Sequence, residues 1–360
     1  MALTLEAVSK IVQGQTHIHP TSLTLEKGSM NVLLGPTLSG KTSLMRLMAG
    51  LDRPTTGRVL WDGRDVTGLP VQQRTVAMVY QQFINYPTLS VYENIASPLR
   101  LLGQARAEID RAVRATAELL KLTNLLDRRP LELSGGQQQR TALARALVKG
   151  AGLVLLDEPL ANLDYKLREE LRAEIPRIFQ VSGAIFVYAT TESHEALLLG
   201  GNTATLWEGR ITQFGPTAEV YRRPRDMLTA RIFSDPPMNF LRVAKTGGQI
   251  LFGEGQTAPA LGPLAGLADG RYLAGFRAHH LAFEPGPGLR FLTRVAVTEI
   301  TGSETFAHLL HADERWIALA HGVHDLAAGS EQPVWLDPAH VYLFHEDGVL
   351  AAPAPFAEAA

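Results

Sequence analysis

Cysteine is absent from the 360 residues, which excludes disulfides, thiolate metal sites and cysteine nucleophiles. A reducing cytoplasm is compatible with that. An excess of one charge sign is also missing. The 34 Lys and Arg nearly balance the 36 Asp and Glu, for a net charge of −2, so the chain lacks the basic footprint of a nucleic-acid binder and no nucleic-acid partner is expected. Long apolar runs are lacking as well. One apolar run, Leu153 to Leu156, ends in Asp157-Glu158, and none is long enough to span a bilayer. Met1 to Ser9 alternates apolar and polar residues and does not read as a charged leader with an apolar block. Any membrane role must therefore come through partners. What is present, 46% hydrophobic and 19% charged residues, suits a soluble protein of two or more domains, each able to bury a core.

Met30 to Leu34 is a short apolar run closed by a glycine, which reads as a buried strand. Thr42 to Ala49 follows with Leu44, Leu47 and Met48 at helical spacing and Gly50 as a stop. Leu153 to Leu156 and Ala184 to Tyr188 read as two further strands, each followed by a helix-like stretch. Strand then helix, repeated, predicts an α/β fold with a parallel sheet wrapped by helices. Between the first two strands lies a helical insertion, about 83–150. In it Ile109, Val113, Ala117 and Leu120 share one face, as do Leu143, Ala146 and Leu147. Lys166 to Gln180 reads as a helix interrupted by Pro176, where a kink is expected. After about Leu241 short β-like runs alternate with Gly, Pro and Asp turns: Arg290 to Ile300, Thr305 to Leu310, Trp316 to Ala320, Pro333 to Leu336 and Val341 to Phe344. A small all-β domain is expected there, with Ala351 to Ala360 as a tail.

Gly35-Pro36-Thr37-Leu38-Ser39-Gly40-Lys41-Thr42 fits a phosphate-binding loop and sits between a strand and a helix, as such a loop must. Backbone N–H groups of the loop wrap phosphates, and the helix dipole adds positive potential. Lys41 would reach the outer phosphates, Thr42 would hold Mg²⁺, and Ser43 continues the binding segment. The Asp157-Glu158 pair ends an apolar strand. Alone, such a pair is often only a solvated strand end; beside the phosphate loop, Asp157 can serve Mg²⁺ and Glu158 can polarise an attacking water. Leu133-Ser134-Gly135-Gly136-Gln137 opens a helix with a serine cap and two glycines, which makes a second anion-binding device. Two such devices in one chain make sense if they meet across a dimer.

At these residues the chain resembles the ABC ATPase family. Leu133 to Gln137 is that family's signature, in the family's order with the phosphate loop and the Asp-Glu strand. The resemblance implies an ATP-hydrolysing subunit with ATP and Mg²⁺ as ligands. It makes Gln81, in Val79-Tyr80-Gln81-Gln82, the lid glutamine that contacts Mg²⁺ and senses a membrane subunit. Ala161-Asn162-Leu163-Asp164 matches the loop that crosses the dimer. The β-rich tail, with Gly275-Phe276-Arg277-Ala278-His279-His280 and Gly302-Ser303-Glu304-Thr305, is similar to the accessory OB-like (TOBE or MOP-type) domain of carbohydrate and polyol importers of the maltose-ATPase type. Domain limits of 1–235 and 241–350 follow. Gln81 to Pro87 and Tyr188 to Glu192 look like the glycerol-uptake branch. The implied partners are transmembrane permease subunits, a second ATPase subunit and, indirectly, a solute-binding protein. The implied location is peripheral, on the cytoplasmic face of the plasma membrane. Glycerol is expected first as the solute, then glycerol phosphate or a sugar.

The sequence also departs from the family. Thr191 stands where the family has a histidine on the γ-phosphate, Val12 where it has an aromatic residue on adenine, and Leu38 where most importer relatives have glycine. These departures imply a heterodimer with a paralogue whose site is the stronger, with a homodimer as the alternative. A docking surface for the membrane partner is expected at Tyr86, Pro87, Leu89 and Val91. Two other readings stay open. A soluble ABC ATPase of repair or translation is opposed by the lack of a coiled coil, a tandem cassette or a basic surface. A non-hydrolysing nucleotide-binding scaffold is favoured by Thr191 and Val12 and opposed by Glu158.

Overall fold

A computed structural model describes residues 2–82, 84–161, 165–253, 255–286 and 288–357. Asn162, Leu163 and Asp164 of the expected dimer-crossing loop lie outside the described residues, as do Phe83 and the last three residues of the expected tail. The chain divides into two compact units, Met1–Phe214 and Gly215–Ala360.

The first unit holds strands β1 (Ala2–Val12), β2 (Gln15–Glu26), β3 (Met30–Leu34), β4 (Thr56–Trp61), β5 (Arg64–Asp65), β6 (Val76–Val79), β7 (Leu153–Asp157), β8 (Ile185–Thr190), β9 (Asn202–Trp207) and β10 (Arg210–Pro216). Its helices are α1 (Lys41–Ala49), α2 (Val91–Leu101), α3 (Arg106–Leu119), α4 (Gly135–Leu147), α5 (Tyr165–Ser182) and α6 (Ser193–Leu199). One sheet runs β10-β9-β3-β8-β7-β6, and the pairs β3–β8, β3–β9, β7–β8 and β6–β7 are all parallel. A second sheet, β2-β1-β4-β5, is antiparallel. Along β7, Leu153 and Leu155 join the core that holds Leu44, Met45 and Met48 of α1, whereas Val154 and Leu156 face the core with the helical insertion. A strand covered on both faces must be apolar at every position, which is why it reads as an unbroken run. Ile109, Val113 and Ala117 are the buried residues of α3, and α5 continues through Pro176 to Ser182.

The second unit opens with two short helices, α7 (Thr217–Arg222) and α8 (Met227–Ile232). Its strands are β11 (Asn239–Thr246), β12 (Gln249–Gly253), β13 (Gln256–Pro259), β14 (Gly270–Phe276), β15 (Leu281–Ala282), β16 (Leu289–Ile300), β17 (Glu304–His311), β18 (Glu314–His321), β19 (Glu331–Leu336), β20 (Tyr342–Phe344) and β21 (Leu350–Ala352). They form two sheets, β13-β12-β11-β14-β20-β21 and β15-β19-β16-β17-β18. The inner faces share one core, in which Phe276 and Phe291 each meet Trp316 edge-on. This strand-rich architecture is consistent with an OB-like domain. The expected boundary at 235–241 falls inside this unit. Arg277, buried at the end of β14, explains why: it donates to Tyr342 Oη at 2.8 Å and to the Tyr221 carbonyl at 2.7 Å, and its guanidinium stacks on the Tyr221 ring. The segment carrying α7 is thereby tied to the second unit.

Candidate functional site

The loop between β3 and α1 is shaped by backbone constraints. A Cβ on Gly35 would lie 2.4 Å from the Leu206 carbonyl oxygen, and Gly40 has φ +103 with Ile18 against it. Only glycine meets both demands. Leu38 also takes a left-handed φ of +67 and is 95% exposed, an uncommon conformation for a side chain of its kind. Ser39 is buried, and its hydroxyl oxygen has no partner among the described residues.

Lys41, the first residue of α1, is buried and folds back over the loop. Its ammonium donates to the Gly35 carbonyl at 2.7 Å and the Pro36 carbonyl at 3.0 Å, and stands 3.3 Å from Glu158 Oε1. Burial pushes this ammonium below the ordinary lysine range, while Glu158 and then Asp157 oppose the shift. Thr42 Oγ1 donates to Asp157 Oδ2 at 2.8 Å. Burial pushes the Asp157 carboxyl up, against the Thr42 hydrogen bond, and the Glu158 charge adds to the rise. Glu158 accepts from Gln81 Nε2 at 3.3 Å. Lys41, Thr42, Asp157, Glu158 and Gln81 thus meet where β3, β7 and the segment after β6 end together. Perturbed groups gathered at such a place mark a candidate chemical site.

The oxygen donors here, the Thr42 hydroxyl, the Asp157 carboxylate and the Gln81 amide, are those a small hard cation takes, with its remaining positions left to water or phosphate. The buried Ser39 hydroxyl and the N-terminus of α1 suit phosphate oxygens. The residues present therefore fit Mg²⁺ and a nucleotide.

Thr191 follows Thr190, whose carbonyl accepts from the Gly35 amide at 3.3 Å, so it flanks the loop, and it is exposed. Behind it, Tyr188 and Thr190 both donate to buried Glu195. Val12 is half-exposed beside the β1–β2 turn, opposite Gln15. Ser134, Gly135, Gly136 and Gln137 stand elsewhere, at the start of α4. There the Gln137 amide donates to the Ser134 hydroxyl at 3.4 Å, and the Gln137 side chain accepts the Ser134 amide at 3.1 Å. Ser134 and Gly135 face solvent.

The expected docking surface needs one correction. Tyr86 and Pro87 are exposed and Leu89 is half-buried, but Val91 is fully buried in the first turn of α2. A helix start capped by Ser90 and Glu93 turns that residue into the core. Sequence reading missed what fixes this loop. Buried Asn94 accepts from the Tyr86 amide at 2.8 Å and donates to the Tyr86, Leu89 and Ser90 carbonyls. Asn85 donates to the Gln138 carbonyl on α4, and Arg145 of α4 donates to the Ile84 carbonyl and lies over the Tyr86 ring. A lone asparagine in the apolar row of α2 is the only signal the sequence offers for this network.

Comparisons with known proteins show the family. A family model described as ABC transporter matches residues 18–161. The chain is 34% identical over 358 residues to the sn-glycerol-3-phosphate import ATP-binding protein UgpC of Cupriavidus pinatubonensis, covering 95% of this chain and 96% of that one. It is 35% identical over 360 residues to the protein of the same name from Burkholderia mallei, covering 95% and 97%. It is 36% identical over 356 residues to the trehalose/maltose import ATP-binding protein MalK of Thermococcus litoralis, covering 94% and 95%. Among solved structures, an ATP-binding cassette captured as a dimer in a post-hydrolysis state with ADP and Pi is similar at a TM-score of 0.53 and 25% identity. That match covers 60% of this chain and 98% of the other.

Proposed function

Because the chain belongs to the ABC transporter family, among its ATP-binding import subunits, we propose that it powers uptake of a small phosphorylated polyol, sn-glycerol 3-phosphate ahead of a disaccharide. That it is an ATPase coupled to import follows from the family. The observation that carries the assignment of residues is the convergence of Thr42 on Asp157 at 2.8 Å beside the Lys41–Glu158 pair at 3.3 Å. Thr42, Asp157 and Gln81 would hold Mg²⁺, which supplies positive charge against the outer phosphates of ATP. Lys41 exchanges its loop carbonyls for those phosphates. Glu158, once released by Lys41, accepts a hydrogen bond from the attacking water and orients it. Ser134, Gly135, Gly136 and Gln137 serve the nucleotide of a second subunit across a dimer.

The solute rests on the relatives' names, two for sn-glycerol-3-phosphate import and one for trehalose/maltose import. Plain glycerol, expected first from the sequence, appears in none of these three, so the phosphorylated polyol moves ahead of it. A membrane partner is supported by the exposed Tyr86 and Pro87, and by the cleft of about 260 Å³ lined by Tyr80, Ile84, Pro98, Ala142, Arg145 and Lys149. An exposed apolar segment beside a cleft suits a docking helix. The experiment is uptake at limiting concentration by cells lacking the gene. Loss of sn-glycerol 3-phosphate uptake is expected, and unchanged uptake of it with loss of a disaccharide would overturn the solute assignment.

A second reading concerns the dimer. Thr191 is exposed beside the loop and Val12 presents no ring, so the chain's own ATP site is the weaker one and pairs with a paralogue that has the histidine and the aromatic. A lost base–aromatic stack is worth roughly 1–3 kcal/mol. A homodimer is the competing arrangement.

A further inference from the structure

The second unit carries a cleft of about 700 Å³ whose lining includes Arg242, Ala244, Leu251, Arg271, Leu273 and Glu346. Strand register places most of these on one face. Arg242 pairs with Leu273 and Ala244 with Arg271 across β11 and β14, and Ala244 pairs with Leu251 across β12. Directly paired residues, and residues two apart along a strand, project to the same side. The two arginines are therefore diagonal neighbours, roughly 7–8 Å apart at Cβ. Both are exposed, and among the described residues neither makes an ion pair. Lys245, the nearest cation on β11, points to the other face and is paired with Asp269.

Two like charges on neighbouring strands repel unless something neutralises them. On a convex surface, water suffices. Here they share a concavity of ligand size whose lining also includes the half-buried Ala244 and Leu273 and the 40% exposed Leu251. Guanidinium pairs hold phosphate oxygens with charge-assisted hydrogen bonds, bidentate where geometry allows. The carboxylate of Glu346, on the same lining, can only accept, so it suits hydroxyl donors.

We propose that this cleft binds a small polyol phosphate. Its phosphate sits between Arg242 and Arg271, its carbon chain lies on Leu251 and Leu273, and its hydroxyls reach Glu346. This is a second ligand site, separate from the nucleotide loop. The anion follows from the arginines alone, while the choice of sn-glycerol 3-phosphate as probe rests on the solute proposed above. Binding is measured on this chain without transport, so the site and the solute assignment can fail independently.

The full chain, saturated with MgADP to fill the nucleotide loop, is titrated calorimetrically at constant ionic strength with sn-glycerol 3-phosphate, glycerol and inorganic phosphate. Saturable one-to-one binding of the ester is expected, at least tenfold tighter than either fragment and weakened at least tenfold by Arg242→Gln and by Arg271→Gln. Unchanged thermal unfolding and circular dichroism of both variants certify that the second unit still folds. No binding by wild type, or equal binding by wild type and variants, overturns the site. Inorganic phosphate binding as tightly as the ester overturns its assignment to a polyol phosphate.

Discussion

Lys41 shows how much of the site one side chain holds in waiting. Its three N–H bonds go to two loop carbonyls and to Glu158, partners that outer phosphates can replace with stronger, charge-assisted contacts. Lys41→Ala removes such a contact, worth about 1.5–3 kcal/mol, which is roughly ten- to 150-fold in affinity. Calorimetry should show MgATP binding weakened by that much, and equal affinities would count against the assignment. Lys41, Thr42, Asp157 and Glu158 were legible in the sequence because phosphate loops and acidic strand ends carry fixed local spacings. Asn94, Asn85 and Arg145 were not, since their partners are backbone carbonyls and amides placed by tertiary packing, and no residue pattern announces those.

Among elements, α4 does two things at once. Its N-terminus carries the Ser134–Gln137 cap, and its body holds the 84–86 segment through Gln138 and Arg145. The segment carrying Tyr86 is therefore tied to the same helix that presents Ser134 to Gln137. Tyr86→Asp places a charge at the proposed docking surface, and Arg145→Met removes the contacts to Ile84 and Tyr86. Both should lower solute transported per ATP hydrolysed in the reconstituted transporter, with Arg145→Lys recovering part of the loss. Normal coupling in both variants would separate this segment from transport. The buried strands β3, β7 and β8 could be read from sequence as continuous apolar runs. The β1-β2-β4-β5 sheet was missed because its half-exposed strands give no continuous apolar run, although β1–β2 and β4–β5 are neighbours in sequence; the distant β1–β4 and β11–β14 pairings carry no local signal at all.

For the molecule as a whole, each unit carries its own liabilities. In the second, His280 stacks on His340 with ring centroids 4.2 Å apart, close to His279, and its Nδ1 is buried without a partner among the described residues. Burial, then the charges of His279, His340 and Arg277, pushes its pKa down to about 2. The unfolded chain takes up that proton near pH 6.5 while the folded chain refuses it. Stability is thus full above pH 6.5 and falls below it, by up to about 1.4 kcal/mol per pH unit. His280→Phe keeps the stack and should flatten the decline in thermal stability between pH 7 and pH 5; parallel declines would contradict this. In the proposed function, two ATP sites are completed by two subunits. The direct measurement is the ATPase rate of the reconstituted transporter carrying Ser134→Arg, beside one carrying Glu158→Gln. Ser134→Arg is expected to remove most activity, and Glu158→Gln to leave a substantial part. Full activity with Ser134→Arg would contradict the role of the signature, and complete loss with Glu158→Gln would contradict the unequal sites.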